Sequence, residues 1–305
     1  MEPRDRRFRR YLDRASMTPA PDASENAARP DPDTALAPWR ARWSLQPDGA
    51  AFDTPSSALQ PVRHAGQPAM LKLAYDAEEQ RSGVLMRWWD GDGAARVLAC
   101  EGPVLLLERA TGGDTLLAMA GDGRDAQACR ILCDVAQRLH GHPHAPPQGL
   151  VPLPRYFDSL EQAARDHGGL YATAWSIAHE LLSQPWPPVP LHGDLHHENV
   201  LDFGPQRGWL AIDPKRVIGE RGYDYATQLG DPLQLGDELP GRLAGRLDIV
   251  TEAGGIPRSR MLRWVVAQQG LSAAWHLEDD EEDEAELPLS VLRAALVLGA
   301  GEGSD

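Results

Sequence analysis

The sequence predicts an α+β chain of two lobes, a small antiparallel β-sheet lobe with one helix followed by a larger, mainly helical lobe. Three observations lead there. Short strand-like runs crowd the stretch from Arg40 to Glu108. Beyond Glu108 the apolar period lengthens to that of amphipathic helices, as in Asp125 to His140. Between the helical stretches lie two polar motifs on short strand-like segments, His192-Gly193-Asp194 and Ile212-Asp213-Pro214. With 305 residues, 42% of them hydrophobic, the chain can fill a core in each lobe.

In chain order, residues 1–38 read as a disordered tail. Met17 to Pro38 is rich in Pro, Ala and Asp and has almost no apolar periodicity. The lead before it carries Arg4, Arg6, Arg7, Arg9, Arg10 and Arg14 with no apolar stretch behind them, so it is no secretory signal. Met17 offers an alternative first residue. Residues 39–108 make the first lobe. Within it Ala69 to Ala74 is an apolar strand carrying one lysine, Lys72, and Asp76 to Trp89 is a helix with Val84, Leu85, Trp88 and Trp89 on its apolar side. Strands follow at Ala95 to Ala99 and Val104 to Glu108. Residues 109–305 make the second lobe. There Asp125 to His140 is a helix stopped by Gly141 and Pro143, Tyr171 to Leu182 and Arg260 to Leu277 are helices, and Leu201 to Val217 holds two short strands.

The chemistry concentrates in Leu191-His192-Gly193-Asp194-Leu195-His196-His197-Glu198-Asn199. Its order matches H-R-D-L-x-x-x-N, in which the Asp orients and deprotonates an acceptor hydroxyl and the Asn holds a metal ion. A second carboxylate, Asp213, follows in an apolar stretch, where kinases place a Mg²⁺ ligand. Phosphoryl transfer needs positioning and charge compensation, which oxygen ligands for a hard cation supply without a covalent nucleophile. Lys72 is the candidate cation for the α and β phosphates, with Glu79 or Glu78 of the next helix as its partner. The strand ending at Glu108 is the candidate edge for adenine. The chain is thus read as a phosphotransferase using ATP and Mg²⁺. Gly193 replaces the arginine that would read a phosphorylated activation loop and no A-P-E segment follows, so a small-molecule acceptor fits better than a protein.

These motifs resemble the aminoglycoside/hydroxyurea antibiotic resistance kinases, in particular their streptomycin 6-phosphotransferase branch. The resemblance runs from about Trp43 to about Leu296. It is most specific in LHGDLHHENVL (191–201), RGWLAIDPKRVIGERGYDYA (207–226) and GLSAAW (270–275). It implies a protein-kinase-like fold with ATP in the crevice between the lobes and transfer of its γ-phosphoryl group to an antibiotic hydroxyl, that of streptomycin O6, giving resistance. Hydroxyurea or another small hydroxylated metabolite is the alternative acceptor. By the same resemblance Asp194 is catalytic, Asn199 and Asp213 hold the metal, Lys72 and Glu79 position phosphate, and Phe52 to Ser57 covers the nucleotide with Ser56 and Ser57 as donors. No G-x-G-x-x-G stands there, and an ordinary hairpin turn is the other reading of that segment.

The formal charge of −15 and pI near 5.1 argue against nucleic acid and favour a cationic ligand such as streptomycin. Glu281 and Glu282 lie in an acidic block from Glu278 to Glu286, readable as a wall of the acceptor pocket or as a solvated loop between helices. Glu220 and Asp224 could touch the acceptor or brace the loop after Asp213. Cys100, Cys129 and Cys133 lack metal-ligand spacing and read as reduced core thiols. No span is long enough for a membrane helix, so an ATP-dependent enzyme is expected in the cytoplasm, and chain length and the absence of heptads make a monomer the expectation. Two other classes stay in view. A Zn²⁺ hydrolase could draw on His142, His144, His192, His196 and His197, but H-E-x-x-H is absent. A kinase-shaped binding protein without turnover would be expected to lack one of Lys72, Asp194, Asn199 or Asp213, and all four are present.

Overall fold

A computed structural model describes residues 30–75 and 77–302, without the side chains of Ala77, Glu78, Glu79, Ser82 and Glu302. The chain enters through helix α1 (Pro32–Arg42). Asp31 caps it, its Oδ1 accepting from Thr34 N at 3.1 Å, and Pro32 starts its first turn. This corrects the expected tail, which extended to residue 38. The apolar signal there is thin because Leu36 is the one residue of the helix buried completely, but it seals the outer face of the sheet.

That sheet has six strands: β1 (Gln46–Pro47), β2 (Phe52–Asp53), β3 (Ser57–His64), β4 (Gln67–Ala74), β5 (Val97–Glu101) and β6 (Val104–Glu108). The path runs β1-β3-β4-β6-β5, with β2 also on β3, and every pairing is antiparallel. Side chains alternate across the sheet, so Leu71, Val104 and Leu106 pack under α1 with Leu36, Ala58 and Val62. The other parity, Leu105 and Leu107, faces helix α2 (Ala77–Trp89), with its Leu85, Met86 and Trp89. Lys72 pairs in register with Leu105 and therefore points to this second side, toward the cleft.

The second lobe is built from α3 (Leu116–Gly121), α4 (Asp125–His140), α5 (Asp158–His167), α6 (Gly169–Ser183), α7 (Gly222–Leu229), α8 (Leu239–Gly254), α9 (Arg258–Glu278) and α10 (Glu286–Glu302). α9 is the central helix, with fifteen buried residues from Met261 to His276. Two small sheets interrupt the helices. One is the hairpin β9 (Val200–Asp202) and β10 (Trp209–Ala211); the other joins β7 (Val151–Pro152), β11 (Val217–Gly219) and β8 (Val189–Leu191), with β11 parallel to β7 and antiparallel to β8. The helices at 125–140, 169–183 and 258–278 fall close to their expected places, because each carries a clear apolar face or an all-buried run.

The hairpin is also the splice between lobes. Ala95 N donates to Ala211 O and Ala211 N to Gly93 O, each at 2.9 Å. Arg207 beyond β9 reaches Glu108 Oε1 at 2.7 Å and Gly91 O at 3.0 Å. Cys129 and Cys133 are buried free thiols, whereas Cys100 is exposed on β5, which departs from its expected core position.

Candidate active site

The loop from β8 to β9 carries the first motif, and its shape follows from local rules. Gly193 has φ +82°, and a Cβ there would meet Val217 Cγ2 at 2.9 Å and Lys215 Cβ at 3.1 Å. Only glycine fits such a tight left-handed position, which explains why no arginine stands there. The amides of His192 and Gly193 both donate, at 2.8 Å, to the carboxylate of Asp224, which has no exposed surface. His140 Nε2 lies 2.8 Å from the same carboxylate. His192 Nε2 donates to Ile212 O at 2.7 Å while its Nδ1 accepts from Asp194 N at 3.3 Å, tying the loop to the residue before Asp213. Burial holds His192 below the usual histidine range, which keeps it neutral in this donor and acceptor arrangement.

Four expected site residues come together around this loop. Asn199 Nδ2 donates to Asp194 O at 2.9 Å and approaches Asp194 Oδ2 at 3.3 Å. Asp213 follows β10, its backbone held by Ile212 N donating to Asn199 O at 2.9 Å. Its φ is +57°, a conformation that costs a non-glycine residue energy and recurs at functional positions. Across the cleft, Lys72 Nζ lies 2.5 Å from Asp213 Oδ1. Burial raises the Asp213 carboxyl and the Lys72 ammonium outweighs it, leaving Asp213 below the ordinary carboxylate range.

The remaining expected residues fall elsewhere. The side chains of Glu79 and Glu78 lie outside the described residues. Ser56 and Ser57 are buried rather than presented at a loop tip. Ser56 O accepts from Tyr75 N at 2.8 Å, and Ser57 begins β3 with its amide on Thr54 Oγ1 at 3.1 Å. The turn after β2 leaves both serines buried in this structure, Ser57 as the first residue of β3. Glu108 ends β6, and its carboxylate accepts from Arg207 and from Arg96 N at 2.7 Å, which makes the side chain a lobe clamp.

Glu220 is likewise a brace. Its oxygens accept from Arg260 Nη2 at 2.6 Å, Arg260 Nε and Trp264 Nε1 at 2.7 Å, and Trp186 N at 3.1 Å, and none of this is open to a ligand. Asp224 is fully buried and holds the loop between β8 and β9 by the amides of His192 and Gly193, so it is not placed to touch an acceptor. The acidic block is ordered as the end of α9 and a 3₁₀ turn at Glu282–Ala285; Glu281 lies 3.3 Å from buried His276, and Glu282 is exposed. Sequence reasoning missed His140, Lys215 and Asp231. A histidine ending a helix just before Gly141 gave the first only a weak signal. Lys215 adds positive potential beside Asp213, and Asp231 faces His196 and His197 at 3.6 and 3.5 Å.

A lysine from an antiparallel sheet meeting a carboxylate of the helical lobe, beside an Asp-Asn loop, defines a small-molecule kinase architecture. The comparisons narrow this. Residues 42–280 match the aminoglycoside/hydroxyurea antibiotic resistance kinases, and the chain belongs to that family. It is similar to a streptomycin 3''-kinase of Klebsiella pneumoniae, 50% identical over 243 residues that cover 78% of this chain and 91% of the relative. It is also similar to a streptomycin 6-kinase of Streptomyces griseus, 33% identical over 255 residues covering 78% and 80%. Among solved structures, a thermostable mutant of the aminoglycoside phosphotransferase APH(4)-Ia in complex with AMP-PNP and hygromycin B superposes with a TM-score of 0.65, covering 88% of this chain and 99% of that one at 14% identity. That likeness shows the protein-kinase-like fold.

Proposed function

We propose that this chain transfers the γ-phosphoryl group of ATP to a hydroxyl of streptomycin. The observation that carries the reading is the meeting of Lys72 with Asp213 beside the Asp194–Asn199 pair. Lys72, held by Asp213, is placed to neutralise nucleotide phosphate, and Asp194, 19% exposed, would be the base that orients an acceptor hydroxyl. Asn199 and Asp213 fit a Mg²⁺ ion by their chemistry. They offer amide and carboxylate oxygens, and a magnesium ion at a nucleotide needs only one or two protein ligands beside phosphate and water. Among the described residues no group of three or more His, Cys, Asp or Glu side chains could hold a metal, which gives no support to a Zn²⁺ hydrolase. Bound magnesium would supply charge compensation for the transferring phosphoryl group.

The acceptor is read from the relatives. The 50% identity to a 3''-kinase favours the 3''-hydroxyl over the 6-hydroxyl that the resemblance implied, and the 33% identity to a 6-kinase keeps O6 as the second reading. Among the described residues no helix is long and apolar enough to cross a membrane. The test is an ADP-release assay with Mg·ATP, with and without streptomycin, followed by ³¹P-coupled NMR of the product. Streptomycin-dependent ADP and a phosphate on O3'' are expected; a phosphate on O6 would reverse the regiochemistry, and no streptomycin-dependent ADP would overturn the acceptor.

A further inference from the structure

His196 is buried inside the catalytic loop, and no role assigned so far uses it. Its ring lies among three polar groups. Nε2 is 2.9 Å from Asn199 Nδ2 and 3.7 Å from Asp194 Oδ2, and Nδ1 faces Asp231 Oδ1 at 3.6 Å.

The orientation of the Asn199 amide follows from Asp194. The carbonyl O of Asp194 at 2.9 Å and its Oδ2 at 3.3 Å are both acceptors, so the Asn199 atom facing them is the nitrogen. That nitrogen has two hydrogens. One goes to Asp194 O, and the second is shared between His196 Nε2 and Asp194 Oδ2, with the histidine 0.4 Å nearer. To accept, Nε2 must carry a lone pair, which places the neutral ring's proton on Nδ1. Carboxylates stand at similar distance from both ring nitrogens, Asp231 Oδ1 3.6 Å from Nδ1 and Asp194 Oδ2 3.7 Å from Nε2, so the 2.9 Å contact with Asn199 is what distinguishes them. Glu198 N approaches Nδ1 at 3.4 Å, beyond the usual hydrogen-bond range.

We infer that His196 is a positioning residue for Asn199. By taking the second amide proton it leaves Oδ1 as the Asn199 atom for the metal and frees the Asp194 carboxylate for the acceptor hydroxyl. With His196 removed, that proton has only Asp194 Oδ2 within reach, so the amide swings and the catalytic carboxylate is occupied. Supporting partners of this kind typically change metal affinity about ten- to a hundredfold. The inference rests on the proposed metal role of Asn199.

The test measures Mn²⁺ affinity by electron paramagnetic resonance on ADP-saturated full-length protein, with circular dichroism and Tm as folding controls. Asn199→Ala should weaken Mn²⁺ binding in the wild-type background; an unchanged affinity there would defeat the metal reading itself. His196→Ala should weaken it about tenfold. His196→Gln, whose Oε1 can accept from Asn199, should restore most of the loss. Asn199→Ala weakened with His196→Ala unchanged, or Gln no better than Ala at 196 in folded protein, would overturn the inference while leaving the metal reading in place. If His196→Ala does not fold, His196→Gln is compared with His196→Leu, which cannot accept: near-wild-type affinity for Gln with weaker binding for Leu supports the inference, and any other order overturns it.

Discussion

Lys72 on β4 and Asp213 behind β10 meet at 2.5 Å, although 141 residues separate them in the chain. The pair joins a sheet that offers a cation to a helical lobe that offers the anion.

This pair and its neighbour His192 set an acid limit. The depressed Asp213 contributes stability that is present above its unfolded value near about 3.9 and lost as pH falls through the lower folded value. His192, lowered by burial, acts in the same direction, because the unfolded state takes up its proton first below about pH 6.5. Thermal stability should therefore fall progressively below about pH 6.5. In Lys72→Met the part below about pH 4 should shrink. A profile that improves with acid would contradict both assignments.

Asp194→Ala is expected to lower kcat about a hundred- to ten-thousandfold while ADP affinity, read by calorimetry, stays close to wild type. Wild-type turnover would remove Asp194 from the chemistry.

Asp224→Asn replaces one acceptor oxygen by a donor opposite the amides of His192 and Gly193. The misplaced loop should cost about a hundredfold in kcat with little change in the KM for ATP. If KM for streptomycin alone changed, Asp224 would have to contact the acceptor after all.

Glu220→Ala breaks a buried ion pair with Arg260 and strands the Trp264 and Trp186 donors. A loss of about 3–5 kcal/mol in denaturant unfolding is expected. Streptomycin KM measured on the folded fraction should not move, as befits a brace.

Gly112→Ala probes the segment after β6. A Cβ there would sit 1.9 Å from Asp202 Cγ, whose carboxylate is held by Gly204 N at 2.8 Å. Forcing that side chain aside should cost about 1–3 kcal/mol, checked by urea unfolding; an unchanged midpoint would mean that this segment gives way easily.

The chain's own order carried much of this. Strand β6 and helix α4 have the bounds their patterns imply, and Lys72, Asp194, Asn199 and Asp213 could be singled out because a local spacing encodes what each residue type can do. Their meeting was not written there. Helix α1 has too few apolar residues to show a period, and its place depends on a sheet face formed far downstream. Whether Glu220 and Asp224 touch an acceptor or brace the fold turns on which donors surround a buried carboxylate, and those donors come from α9, α4 and the catalytic loop. Ser56 and Ser57 illustrate the same point: a turn motif gives hydroxyls, and only the tertiary packing decides that these residues are buried. Sequence by itself determined the chemical inventory and the local elements, since those depend on neighbours a few residues apart. Tertiary structure decided which carboxylates are free to act, because burial and long-range donors, not residue type, set what a charged group can reach.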